Sequence, residues 1–205
     1  HAAVLLIVAG PPGMVEFGVW DVLQRLDLLG LAVYVLIAGP GRWSADMEIG
    51  RATEPSLSDT ARAIWALRVG AGLALIVVAF AEKLANPDLA LAFLAEHQEL
   101  NVADAIGLGW TDLQFIRVAG CIEVLFGLLL ISGALPQAIV VIAGIPFNAT
   151  LWFFGVNELI GHLPVYGAML ALLVYGSSSE YRPEVSRIWP WGSARPTGGG
   201  HAAPT

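Results

Sequence analysis

The chain has 205 residues, of which 57% are hydrophobic and only 13% are charged, and its mean hydropathy is +0.71. Because an ordinary soluble domain carries about 25% charged residues, this composition favours a membrane protein. The net charge of −7 argues against a nucleic-acid partner, since phosphate binding needs a basic surface. The single cysteine, Cys121, excludes an internal disulfide and a CxxC redox pair.

The first 39 residues are predicted to belong to a duplicated unit. A shift of 137 residues aligns Phe17–Asp21 with Phe154–Glu158 without a gap, and the same shift places Gly30 on Gly167. Internal self-similarity of this kind indicates a duplication, although two apolar helices can also align by chance. On the first interpretation, residues 1–39 are the last helix pair of a first unit, whose earlier helices would lie upstream.

The rest of the chain is predicted to hold a linker and one complete unit. Residues 40–62 contain Pro, Gly, Ser and charged residues without a long apolar run, which is typical of a linker. Residues 63–177 hold four apolar stretches, close to the about 20 residues that a helix needs to cross a bilayer. These stretches are Ile64–Ala81, Phe115–Leu135, Ala138–Val156 and Leu163–Tyr175. The predicted fold is all-α: a polytopic four-helix transmembrane bundle, preceded by a transmembrane helix pair.

Capping patterns support these helix boundaries. Ser56 and Asp59 can cap the helix that begins the unit, and Thr111 with Gln114 forms a capping-box pattern before the second apolar stretch. The pattern predicts two helices that start close to these residues.

Two further segments are predicted to lie outside the spans. Residues 87–100 combine leucines and a phenylalanine with acidic residues, so we expect an interfacial helix that lies on the membrane. Residues 178–205 include Trp189-Pro190-Trp191 and a Gly-rich end, and they are predicted to form a flexible tail that could contact a partner through its tryptophans.

The distribution of arginines predicts the orientation. The linker and the tail carry three arginines each, whereas the loop 86–112 carries acidic residues but neither Lys nor Arg. The positive-inside rule then places the linker and the C-terminus in the cytoplasm and the acidic loop outside.

Polar residues recur near the same end of the four apolar stretches, and an ionisable group is costly in a membrane interior. The predicted cluster consists of Glu82, Lys83, Arg117, Glu123, Asn157, Glu158 and His162. One interpretation is internal pairing, in which Lys83 or Arg117 neutralises Glu123 and the network locks the bundle. Another is a pocket for a substrate or quinone headgroup, with Glu158 and His162 relaying a proton. A metal site is disfavoured because one histidine and two acids lack a diagnostic spacing.

The unit 63–177 resembles the DoxX family of small bacterial and archaeal four-helix membrane proteins. The resemblance rests on Arg68–Leu75 with Ala81–Leu84, on Ala119–Gly133 with its acidic Glu123, and on Gly161–Gly167. The duplication departs from the single-unit pattern of that family.

The resemblance implies a bacterial or archaeal cell membrane and a role as accessory subunit of a membrane-bound redox complex that could bind quinone. Such a subunit is surrounded by lipid and by other membrane subunits, and it is not expected to be catalytic on its own. Two alternatives remain open: a purely structural subunit of a larger membrane complex, and a small-molecule carrier that uses the interface between repeats.

Overall fold

The computed structural model describes residues 19–41, 44–181, 183 and 186–191. Within these ranges the ordered elements are helices, and no strand occurs among them, which confirms the all-α prediction. The α-helices are α1 (Val19–Leu23), α2 (Leu26–Ala38), α3 (Ala45–Glu48), α4 (Leu57–Ala79), α5 (Asp88–Glu96), α6 (Val102–Ala105), α7 (Asp112–Ser132), α8 (Pro136–Phe154) and α9 (Val156–Ser177). A π-helical turn (Phe80–Leu84) extends α4, and a 3-10 turn (Gln98–Leu100) follows α5.

The predicted caps are present at α4 and α7. The Ser56 hydroxyl accepts a hydrogen bond from the backbone N–H of Asp59 at 3.1 Å, so α4 begins at Leu57. Thr111 and Gln114 form the complete capping box: the backbone N–H of each residue donates to the side chain of the other, at 3.0 and 3.3 Å. These side chains satisfy N–H groups that a helix start leaves without an intrahelical acceptor.

Helix α4 lies at the centre of the bundle, and glycines bring two helices close to it. A Cβ atom added to Gly70 would lie 2.6 Å from the Cα atom of Gly30 in α2. A Cβ atom added to Gly72 would lie 2.6 Å from the carbonyl oxygen of Gly127 in α7. Backbone atoms can approach this closely only where side chains are missing, so these glycines set the spacing of α2, α4 and α7.

The core lies between the inward faces of α4, α7, α8 and α9. It consists of Ile64, Leu67, Leu130, Ile139, Val140, Ala168 and Leu172, with Leu31 and Tyr34 of α2 packed against it. Helix α8 packs mainly against α9 and has fewer neighbours than α4. Gly155, with a φ of 68°, makes the sharp turn between α8 and α9.

The helix that was predicted for residues 87–100, between α4 and α7, is shorter in the structure. Helix α5 ends at Glu96 because His97 leaves the helical conformation, with φ −130° and ψ 62°, and a separate 3-10 turn follows. The buried Asn101 fixes the rest of this segment by donating to the Trp110 carbonyl at 3.0 Å and to Asp112 at 2.9 Å.

Two helical segments in the described ranges are long and apolar enough to cross a membrane, Leu57–Leu84 and Asp112–Ser132. Leu26–Ala38, Pro136–Ala149 and His162–Ser177 are apolar but shorter. The first of the six predicted spans falls within residues 1–18, which lie outside the described residues. Length and composition alone do not separate such helices from the core helices of a soluble protein, so the six-span membrane bundle stays a prediction.

Candidate functional site

The π-helical turn after α4 places two residues of the predicted polar cluster opposite α7. The backbone N–H of Ala85 donates to the carbonyl of Phe80 at 2.9 Å, across five residues instead of four. The wider turn carries Glu82 and Lys83. Insertions of this type are frequent at functional sites.

Lys83 and Glu123 form an ion pair in which Nζ and Oε2 lie 3.0 Å apart. The side chains are 23% and 29% exposed, so water screens the pair only in part. A Cβ atom added to Gly120 would lie 3.1 Å from the Cβ atom of Lys83, so this glycine allows α7 to approach the turn. Lys83 was one of the two predicted partners of Glu123. Glu82 lies close enough to Glu123 to interact with it electrostatically.

The other predicted cluster residues lie in different surroundings. Arg117 is exposed on α7, and no ion pair of this residue occurs among the described side chains. The ring of His162 on α9 contacts Phe147 of α8 edge-on, with centroids 4.8 Å apart, and His162 also lies within electrostatic range of Asp27 on α2. The side chains of Asn157 and Glu158 lie outside the described part of the structure. A single network joining all seven residues therefore remains a prediction.

A groove between α8 and α9 is the feature that the sequence did not indicate. Its volume is about 640 Å³, and its lining is mainly apolar: Val140, Val141, Gly144, Ile145, Met169, Leu170 and Leu173. Asn148 and Tyr166 are the polar residues that line it. A Cβ atom added to Gly144 would lie 3.2 Å from Cε of Met169, so the missing side chain leaves room in the groove.

The polar end of this groove is organised by hydrogen bonds. Nδ2 of Asn148 donates to the Gly144 carbonyl at 2.7 Å, and the Tyr166 hydroxyl lies 3.4 Å from Oδ1 of Asn148. His162 lies one helical turn before Tyr166, so both residues belong to the same side of α9. The sequence signal that could have located the groove is an amide and a phenol within two adjacent apolar stretches.

This arrangement suits an elongated apolar ligand that has a polar head. The Tyr166 O–H donates to Asn148 Oδ1 or to the Phe147 carbonyl, at 3.4 and 3.5 Å, and it can turn from these long bonds to a ligand. The Asn148 amide keeps a second N–H beyond the one bound to Gly144. Within the described residues, no group of three His, Cys, Asp or Glu side chains could hold a metal ion.

The sequence matches no protein-family model, no curated protein and no solved structure. The resemblance to the DoxX family therefore remains an interpretation of the motifs quoted above.

Proposed function

We propose that this chain is an integral membrane protein that serves as an accessory subunit of a membrane-bound redox complex, and that it binds a quinone in the groove between α8 and α9. The groove is the observation that carries the ligand proposal. The DoxX resemblance supports the redox setting and a bacterial or archaeal cell membrane.

The exposed apolar surface of α7 and α8 supports the membrane location. In the most apolar window of α7 only 22% of the residues are buried. Leu125 and Leu128 on α7, and Ile142 and Ile145 on α8, each keep more than half of their surface exposed. Soluble monomers rarely expose large contiguous apolar surfaces, whereas lipid solvates such side chains. The bilayer and other membrane subunits are therefore the partners that this surface favours.

The shape and chemistry of the groove favour a quinone among redox ligands. The groove is open along its length, since Val141, Ile145 and Leu170 on its walls are each more than half exposed, so a chain-like ligand could enter it from the side. A quinone has an isoprenoid chain, which the aliphatic side chains can contact, and ring carbonyls, which can accept hydrogen bonds from Tyr166 and Asn148. His162, one helical turn before Tyr166, could exchange a proton with a reduced ring.

The proposal places the ligand in the groove between α8 and α9 and not beside Glu82 and Glu123. The sequence predicted that the headgroup pocket would lie within the polar cluster, with Glu158 and His162 relaying a proton, but Glu123 of that cluster is paired with Lys83. The α9 part of the earlier hypothesis is retained, because His162 lies near the polar end of the groove.

The test is direct binding of a short-chain quinone to the full chain in nanodiscs. Tyr166→Phe should weaken binding by about threefold to tenfold, the effect of one hydrogen bond. Gly144→Leu should abolish binding because its side chain fills the groove. Tyr34→Phe is the matched control, since the Tyr34 hydroxyl pairs with Tyr175 outside the groove.

Equal quinone affinities of the wild type, Tyr166→Phe and Gly144→Leu would refute the proposal that quinone binds in the groove. If all these variants retain quinone binding and Glu123→Gln loses it, the quinone site lies beside Glu82 and Glu123 instead.

A structural subunit is the second candidate, favoured by the exposed apolar faces of α7 and α8, which suit protein neighbours as well as lipid. If no variant binds quinone above its partition into lipid, and substitutions on these faces release partner subunits, the structural role replaces the redox role. The carrier alternative depends on the repeat, whose first half lies largely outside the described residues.

A further inference from the structure

Residues 186–191 contact the end of the bundle where α4 begins, although the sequence predicted a flexible tail. A buried charge is unusual in a helix bundle, and Arg68 is fully buried in the fourth turn of α4. A buried guanidinium needs acceptors for its N–H groups, since an unsatisfied buried charge is strongly unfavourable.

The backbone of the tail supplies acceptors to two side chains of α4. Nη2 of Arg68 donates to the carbonyl of Arg187 at 2.5 Å. Nε1 of Trp65 donates to the carbonyl of Ile188, the next residue, at 2.8 Å. Consecutive carbonyls are therefore recognised by two residues that lie nearly one turn apart on the same helix.

Aromatic packing adds a third contact. The ring of Trp65 lies edge-on to Trp191, with centroids 4.8 Å apart, and edge-on to Trp189, with centroids 5.7 Å apart. Pro190, between these tryptophans, is buried. Aromatic pairs of this geometry contribute beyond the burial of their area.

The C-terminus of α7 completes the site. Gly133 adopts the left-handed conformation, with φ 80°. A Cβ atom at this position would collide with the Arg68 guanidinium and would lie 2.7 Å from the Ser186 carbonyl. Only glycine leaves room for both groups.

We propose that Trp65, Arg68 and Gly133 form a binding site for an extended peptide, and that residues 186–191 occupy it as a reversible intramolecular ligand. Recognition through main-chain carbonyls is independent of the peptide's side chains, whereas the tryptophans provide selectivity. We expect the docking to be reversible because Ile188 and Trp189 remain 70% and 62% exposed, so the segment buries little of its apolar surface. An extended segment of a partner that offers free carbonyls is the class of ligand that can displace the tail.

The chain provides a specific probe for tail opening. Arg182 and Arg195 each precede proline, where trypsin does not cut, so the Arg187–Ile188 bond is the tryptic site of the tail. Arg51 in the exposed linker segment serves as the internal reference for protease activity. The initial rate of cleavage after Arg187 is divided by the rate after Arg51, both measured in the full chain by mass spectrometry. This ratio reports the population in which the tail is open.

In the wild type, cleavage after Arg187 should be at least about tenfold slower than cleavage after Arg51, the ratio that one hydrogen bond to a charged group can produce. Arg68→Met and Trp65→Phe should each raise the ratio severalfold. Trp152→Phe should leave it unchanged, because Trp152 is 88% exposed on α8 and contacts neither Trp65 nor the tail among the described residues.

A synthetic peptide of residues 183–191 should also raise the ratio by competing for the site, whereas its scrambled form should not. Equal cleavage after Arg187 and Arg51 in the wild type would overturn the docking. If Arg68→Met does not fold, Trp65→Phe decides the question alone: an unchanged ratio in that variant refutes the site.

Discussion

Gly30 and Gly167 are equivalent in the predicted repeat, but the structure gives them opposite environments. A Cβ atom added to Gly30 would lie 2.8 Å from the Ala66 carbonyl oxygen and 2.9 Å from the Cα atom of Gly70. Among the described residues, a Cβ atom added to Gly167 would meet no atom within 4 Å. Substitution by alanine should therefore destabilise the protein at Gly30 and not at Gly167.

The expected magnitude follows from the atoms in contact. Optimal separation between carbon atoms is about 3.5–4.0 Å, so α2 and α4 would have to separate by about 0.5–1 Å along their glycine contact. Overpacking of this kind costs about 1–3 kcal/mol, and both neighbours are backbone atoms that cannot rotate away. Alanine also improves helix propensity by about 0.5–1 kcal/mol. Gly30→Ala should thus lose up to about 2.5 kcal/mol net, whereas Gly167→Ala should gain a few tenths or more.

The assay is reversible unfolding of the full chain in mixed micelles, with the helical signal followed as denaturing detergent increases. Gly70→Ala, on the opposite side of the same contact, should reproduce the loss seen for Gly30→Ala. The double variant should not show the sum of the two losses, because the first substitution already separates the helices. Equal stability of the Gly30→Ala and Gly167→Ala variants would refute the packing of α2 against α4.

Three other outcomes are expected. Glu123→Ala should destabilise the bundle, toward the lower end of the about 3–5 kcal/mol for a broken buried pair, and Lys83→Met in the same chain should restore part of the loss; a thermal unfolding series measures both. Thr111→Ala should lower the unfolding free energy by about 1 kcal/mol, because it removes the capping box of α7. Cysteines introduced at Ser58 and Ser178, after Cys121→Ala, should react with an impermeant reagent from the same face; reaction from opposite faces would contradict the topology.

Local features of the fold could be predicted from the sequence. The capping box of Thr111 and the cap at Ser56 involve residues three positions apart, so their geometry follows from the helix itself. The pairing of Glu123 could also be predicted, because a carboxylate in an apolar stretch requires a nearby cation and only Lys83 and Arg117 were available. That Glu123 pairs with Lys83 and not with Arg117 depends on the π-helical turn, and the sequence has no signal for that turn.

Contacts between distant segments could not be predicted. The four apolar stretches predicted in residues 63–177 are helices in the structure, namely α4, α7, α8 and α9. Nothing in their apolar pattern indicates that α2 packs on the Gly70 side of α4. The α8–α9 groove depends on how two helices diverge around Asn148 and Tyr166. The sequence assigned no role to Arg68, because its acceptors come from a tail more than 100 residues away.

Arg68 shows why a bundle of this kind needs a segment that is not helical. Within a helix each carbonyl already accepts from the N–H four residues later, so the sides of neighbouring helices offer few free acceptors to a buried guanidinium. Free carbonyls occur in the last turn of a helix and in extended backbone. The structure uses extended backbone: beside the left-handed Gly133 at the end of α7, Arg68 donates to the Arg187 carbonyl in the tail. Release of the tail therefore removes an acceptor from the buried Arg68 guanidinium unless another extended segment takes its place.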